Sequence, residues 1–278
     1  MPLPGRRAAR PTRFSSPGSS RHTQTAVLVS NHSTGAHPTG SAPLAIAVLG
    51  GFRFWIRGRD ALPTLPGGSQ RLLAFLALRE RSIMRSAAAG TLWPEASEDH
   101  AHASLRSAIS RLSHAAHEAI VVSPSELRLA DHVAVDVRES RALAHRLLDP
   151  GGATQEGDLS NRAILALSAD LLPDWYDDWA VAEAEEWRQL RLHALDALTQ
   201  LLIDSGRYAD AAGAALAAVK AEPLRETSHA LLIRVHLAEG NRAEALAAFN
   251  RYRVMLRSEL GLEPRPMIQA LVTDIQDL

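Results

Sequence analysis

Residues 206–211 (GRYADA) and 240–245 (GNRAEA) align at an offset of 34 residues, and no other feature constrains the fold of this chain as strongly. Self-similarity at that period marks one helix–turn–helix unit per repeat. One unit cannot bury its own apolar face, so neighbouring units must stack. In the first copy Gly206, Tyr208, Ala211, Ala218 and Pro223 fall at the small and turn positions; in the second Gly240, Ala245 and Phe249 do. Pro223 has no counterpart in the second copy. The helix there is expected to run on to Glu259, with Gly261 and Pro264 ending it. Residues 266–276 read as a closing helix. Upstream, residues 178–205 repeat apolar side chains at helical spacing, 137–148 and 162–169 read as shorter helices, and 149–161, with Pro150-Gly151-Gly152, read as a loop.

The period is that of tetratricopeptide units, so residues 136–278 form an expected all-α, tetratricopeptide-like domain. The front half has a different grammar. Residues 44–49 and 52–56 read as strands broken by Gly50-Gly51, and a turn at Gly58-Arg59-Asp60 leads to a third strand through Leu65. Together they predict a small antiparallel sheet. Ser69 is the expected cap of a helix over 70–79, and a second helix over 85–93 ends at Pro94. Residues 97–113 form the third. Residues 120–122 and 126–129 flank Ser123-Pro124-Ser125 as a hairpin. Three helices followed by a two-stranded wing make a winged helix-turn-helix, whose third helix enters the DNA major groove. The expected architecture is therefore an α+β winged helix-turn-helix domain (44–133) followed by the helical repeat domain (136–278).

The third helix carries the candidate chemistry. Leu105, Ala108, Ile109 and Leu112 follow the i, i+3, i+4, i+7 spacing of a buried stripe. At 100° per residue, Ala103, Arg106, Ser107, Ser110, Arg111 and His114 lie opposite, and no carboxylate follows Asp99. A small, hydroxylated, cationic face suits base edges and phosphates, but taken by itself it reads first as an ordinary solvated face. With the strands and hairpin around it, Arg106, Ser107, Ser110 and Arg111 become the expected DNA contacts, with His102 at the edge of the face and Arg128 on the wing. Gln70 and Arg71, at the start of the first helix, read equally as phosphate contacts and as solvated side chains. Trp93 reads as a core plug.

Charge supports this division. Residues 1–43 carry +5, residues 44–135 carry +2 and residues 136–278 carry −8, within a net charge of −1. A basic front and an acidic back fit a nucleic-acid-facing half joined to a second domain. The tail, 1–43, is rich in Pro, Ser, Gly, Thr and Arg without apolar periodicity and reads as unstructured. A start codon assigned too far upstream and a basic arm on DNA phosphates are its other readings. It lacks the apolar run of a secretory signal.

Several function classes recede. There is no cysteine, so disulfides, thiolate catalysis and Cys-ligated zinc are excluded. His100 and His102, at i and i+2, point apart on a helix, and His114 and His117 lack further ligands, so no metal site is expected. Asp174, Asp177 and Asp178 beside Trp175 and Trp179 read as a helix cap with an aromatic staple rather than as paired catalytic carboxylates. No enzymatic activity, cofactor or membrane span is expected, and the expected location is the cytoplasm, at the nucleoid.

Five segments carry a family resemblance: GSQRLLAFLAL (68–78), TLWPEASEDHAHASLRSAISRL (91–112), LLPDWYDDW (171–179), EPLRETSHALLIRVHLAEGNRAEAL (222–246) and ELGLEP (259–264). In combination they resemble the Streptomyces antibiotic regulatory protein type of transcriptional activators, with an OmpR-like winged helix and a bacterial transcriptional activator domain. The resemblance implies sequence-specific binding to double-stranded promoter DNA, often at direct repeats, recruitment of RNA polymerase, a homodimer on DNA, and control of secondary-metabolite genes. Larger relatives add a nucleotide-binding module; the chain carries no P-loop motif, so ATP control is not implied. One departure stands out: Met84 occupies the position where such domains usually cap the second helix with Ser or Thr, which leaves Ser82 or Ser86 as the expected cap. The competing reading is a tetratricopeptide interaction scaffold without specific DNA binding.

Overall fold

The computed structural model describes residues 42–149, 151–152 and 155–276. The expected tail lies outside them as far as Ser41, as do Pro150, Ala153 and Thr154 of the expected loop. β1 (Leu44–Ala47) pairs antiparallel with β2 (Arg53–Ile56), which pairs with β3 (Arg59–Asp60). Alternation sorts the side chains of β1: Leu44 and Ile46 enter the main core, while Ala45 and Ala47 pack with Trp55 on the other face. β3 is shorter than the expected strand through Leu65. Asp60 Oδ1 accepts the Leu62 N–H at 2.9 Å, and Pro63 has no N–H for a ladder, so the chain turns into a single 3₁₀ turn, Leu62–Thr64.

α1 (Gly67–Ala77) begins three residues before the expected start, with Pro66 rather than Ser69 at the N-cap position. Ser69 is instead buried and has another partner, described below. β4 (Ile83–Met84), invisible in the sequence, precedes α2 (Arg85–Leu92), α3 (Glu98–Ser110) and a four-residue α4 (His114–His117). The wing follows as β5 (Ile120–Val122) and β6 (Glu126–Leu129). β4 adds to it, giving a three-stranded sheet in the order β4-β6-β5. Neither Ser82 nor Ser86 caps α2. The Ser125 carbonyl in the wing turn accepts the Arg85 N–H at 2.8 Å, so the wing supplies the cap that Met84 cannot.

β7 (Val133–Val135) then returns to the first sheet and pairs parallel with β1, so the sheet runs β3-β2-β1-β7 and is not purely antiparallel. It leads straight into α5 (Asp136–Leu148). After a 3₁₀ turn, Glu156–Leu159, come α6 (Asn161–Ser168), the 27-residue α7 (Asp178–Asp204), α8 (Tyr208–Ala221), α9 (Glu226–Ala238), α10 (Arg242–Leu260) and α11 (Pro266–Gln276). α7–α8 and α9–α10 are the two repeat units. Their turns are built alike: Gly206 (φ +70°) and Gly240 (φ +85°) take the left-handed conformation. Each turn closes with the same pair of hydrogen bonds, Gly206 to Ile203 and Arg207 to Leu202 in the first, Gly240 to Leu237 and Asn241 to His236 in the second. That is a Schellman closure, and it is the physical content of the 34-residue repeat.

The two halves share a dense seam. The Leu172 N–H donates to Val48 O and the Gly50 N–H to Asp170 O, at 2.8 and 2.7 Å. Phe75 of α1 meets Trp179 of α7 edge-on at 5.3 Å between ring centres, and Phe52 meets Trp175 at 5.9 Å. Buried Glu183 of α7 receives both Arg79, just past α1, and Arg141 of α5. Arg138 donates to the Leu76, Ala77 and Arg79 carbonyls and closes the C-terminal end of α1. Asp136 accepts the N–H groups of Val48, Leu49 and Val137. Burial pushes its carboxyl up to about 6, although those three donors pull the other way.

Candidate nucleic-acid interface

α3 presents the expected amphipathic pattern. Ala101, Leu105, Ala108 and Leu112 are buried, Ile109 is half-buried, and Ala103, Arg106, Ser110 and Arg111 are exposed. Glu98 and Asp99 lie in its first turn, where the helix dipole favours negative charge. Ser97 stands at the N-cap position, but its hydroxyl does not cap. It lies 2.7 Å from His100 Nδ1. The helix ends at Ser110, sooner than the expected 113, with Arg111 as its C-cap residue. Ser113 turns out to cap α4, accepting the Ala116 N–H at 3.2 Å.

One hydrogen bond locks α3 directly, and others fix the elements around it. Ser69 Oγ donates to Ala108 O at 2.7 Å in the interior, a buried hydrogen bond between α1 and α3. Arg71 donates to Leu92 O at 3.0 Å and so satisfies the end of α2, while its other nitrogen pairs with Asp177 at 2.7 Å. Arg71 is thereby committed to structure, and Asp177 spends its carboxylate on Arg71 rather than on capping α7. Gln70 is likewise occupied, on Leu65 O. Trp93 is half-buried against the main core.

The expected contact residues fall into three states. Among the described residues Arg106 and Arg111 have no ion-pair or hydrogen-bond partner for their side chains, and both are exposed. Ser107 is half-buried, and Ser110 Oγ donates to the Ser107 backbone carbonyl at 3.1 Å, so the Ser110 hydroxyl sits against the last turn. His102 is half-buried with Glu98 at 3.9 Å, one turn earlier. Arg128 lies on β6 opposite Val121, away from the tip of the wing, and its guanidinium pairs with Asp131 at 2.7 Å. Arg106 and Ser110 on α3, with Arg111 at its C-cap, are thus the exposed members of the expected set, while Arg128 belongs to the wing and is already engaged.

The match to known proteins concerns the rest of the chain as well. A model described as "Bacterial transcriptional activator domain" matches residues 133–276. The chain belongs to this family. It is 32% identical over 241 residues to Regulatory protein AfsR of Streptomyces coelicolor, covering 83% of this chain and 24% of that one. With Regulatory protein AfsR of Streptomyces griseus it shares 31% identity over 264 residues, 88% of this chain and 26% of the other. The chain therefore spans about a quarter of the length of the curated relatives it matches. Among solved structures, Mycobacterium tuberculosis EmbR, in complex with a low affinity phosphopeptide, matches with a TM-score of 0.58 at 24% identity, covering 84% of this chain and 65% of that one. That likeness is one of fold, and it fits a winged helix followed by a helical domain. A winged helix ahead of a bacterial transcriptional activator domain places the chain with the regulators of the Streptomyces antibiotic regulatory protein type, as the five sequence segments implied.

The family domain begins in the match at Val133, inside the sheet of the winged helix. One neighbour of α3 was missed by sequence reasoning. Arg85, first residue of α2, donates to Ser123 O at 3.3 Å and ties that helix to the wing turn. Nothing local signals this, because the two residues are 38 positions apart.

Proposed function

We propose that the chain binds double-stranded promoter DNA sequence-specifically through α3 and activates transcription by recruiting RNA polymerase, as a homodimer on its site. One observation carries the reading: the exposed face of a helix locked at Ser69 presents two arginines with no protein partner among the described residues. Arginine in a major groove donates two parallel hydrogen bonds to guanine or grips a phosphate. Ser107 and Ser110 each give an additional hydroxyl, and His102 sits at the rim. Arg128 grips flanking backbone once Asp131 lets go of it. In this reading residues 44–135 form the DNA-binding part and 136–276 the part that faces protein partners.

The test is selection of bound sites from randomised duplexes with the full chain, followed by a salt titration on the selected site. The expected outcome is one enriched motif, with log affinity falling linearly against log salt because phosphate contacts release counterions. No specific complex at any salt would overturn the proposal and leave an interaction scaffold in its place.

A further inference from the structure

Between α5 and α6 lies an unfilled groove of about 450 Å³. Sites of about 300–1,000 Å³ hold small organic molecules. Its α5 wall is one stripe, Asp136, Glu139, Ser140, Leu143 and Arg146; its α6 wall includes Ala163, Leu165, Ala166 and Ala169. Leu49, two residues past β1, closes one end, beside Asp136. The spacing from Asp136 to Arg146 on α5 makes the groove about 15 Å long. Leu165, on the rim, is a large apolar side chain left 67% exposed. The groove touches both halves of the chain, next to the Leu49–Leu171 bridge.

Charge in the groove is not balanced along its length. At the far end Arg146 is neutralised by Asp158 through two hydrogen bonds, at 3.1 and 2.7 Å. In the middle Arg162 stands 3.9 Å from Glu139. At the Leu49 end, Asp136 accepts only backbone N–H groups, and no cation pairs with it among the described residues. A carboxylate partly withdrawn from water and lacking a counter-charge favours a cation that brings its own. An apolar body would lie against Leu143, Leu165 and Ala166 and leave the ends polar.

From this geometry we propose that the α5–α6 groove binds a small apolar molecule bearing a protonated amine, with the ammonium on Asp136 and the body along Leu143, Ala166 and Leu165. The occupant is a small molecule rather than a helix of a partner because the matching charge is a single point at one end of a short groove. The proposal does not depend on DNA binding.

Dansylcadaverine, a fluorophore on a five-carbon chain ending in a primary amine, is the probe. Its N-acetyl derivative is the neutral control and dansyl-6-aminohexanoic acid the anionic one. Titrated by fluorescence against the full chain, the amine is expected to bind about tenfold tighter than the acetylated form, the scale of one charge-assisted hydrogen bond. The acid should bind weakest. Ala166→Trp fills the groove and should abolish binding of the amine. Asp136→Asn should remove the preference for the amine while the acetylated probe binds as before. Equal affinity for the three probes, or undiminished binding to Ala166→Trp, overturns the proposal. Should Asp136→Asn fail to fold, the comparison of the probes with Ala166→Trp still decides.

Discussion

The outer face of α3 and the seam between the two halves both carry arginines, and they use them in opposite ways. At the seam Arg71, Arg79, Arg138 and Arg141 are all engaged, on Asp177, Glu183 and the carbonyls that end α1 and α2. On α3 Arg106 and Arg111 stand in solvent. Holding a guanidinium in one geometry costs side-chain entropy and desolvation, so paired arginines belong to the fold. Unpaired ones on a rigid helix keep all their donors for a partner. On the proposed reading, the contrast separates residues whose loss destabilises the chain from residues whose loss leaves it folded but weakens its hold on DNA.

The largest expected effect lies at the seam. Glu183→Ala leaves Arg79 and Arg141 half-buried without their counter-charge and should cost about 3 kcal/mol of stability, since breaking such a site from one side strands the remaining charges. Urea unfolding of the two proteins measures it. Affinity for DNA per folded molecule should stay within about twofold, as Glu183 is far from α3 in role and sequence. A variant as stable as the parent would mean that the seam arginines are merely solvated neighbours, and the contrast with α3 would collapse.

Asp136 gives a second handle on the seam, through pH. Folding raises its pKa from 3.8 to about 6, so the folded state holds the proton more tightly than the unfolded chain. The stability this contributes is fully present below about pH 4 and is lost as pH rises through about 6. Asp136→Asn cannot titrate. Going from pH 4 to pH 7, the variant should therefore gain on the parent by about 2 kcal/mol, less than the full shift implies because the residue keeps some contact with water. Thermal unfolding of both proteins at the two pH values reads the change. A stability difference that does not move with pH would show that the three N–H donors fully offset burial there.

How much of this was legible in the sequence follows from the range of each interaction. The repeat was legible because its turns are local: Gly206 and Gly240 each close a helix through residues at most five positions away. The amphipathic face of α3 was legible for the same reason. What stayed hidden depends on distant partners. β4 is two residues long and exists through pairing with β6, 43 positions on. Ser69 looked like a cap because Ser favours that position, yet its hydroxyl is used 39 residues away, on Ala108. Met84 looked like a missing cap because the carbonyl that replaces it belongs to Ser125. Val133–Val135 read as a boundary between domains and is in fact the strand that joins them. For the candidate site, Arg106 and Arg111 were found by face alone, whereas the occupation of Arg71 by Asp177 required the fold.

On the α3 side, Arg106→Ala should leave thermal stability within about 0.5 kcal/mol, as expected of an exposed side chain without partners among the described residues. Specific binding should weaken by about 1–2 kcal/mol if Arg106 reads a base, with relaxed preference at one position of the selected motif. A gel-shift titration with unchanged affinity and unchanged preference would remove Arg106 from the interface. Comparing it with Glu183→Ala tests the contrast directly, since one variant should lose stability without specificity and the other the reverse.

The smallest effect concerns Arg128, which sits between the two classes: a wing arginine expected at DNA but paired in the free chain. Its partner Asp131 is 90% exposed, so the pair is a surface one worth under about 1 kcal/mol, and Asp131→Asn should barely change stability. If Arg128 grips a phosphate, removing Asp131 spares the complex the cost of breaking that pair and removes a carboxylate from beside the DNA backbone. Affinity should then rise about two- to threefold at low salt, an advantage that shrinks as salt screens both interactions. Arg128→Ala should abolish the gain in the double variant, because the carboxylate then has nothing to withhold. A gain that survives Arg128→Ala would instead mark simple repulsion between Asp131 and DNA, and Arg128 would join the seam arginines as a residue used only by the fold.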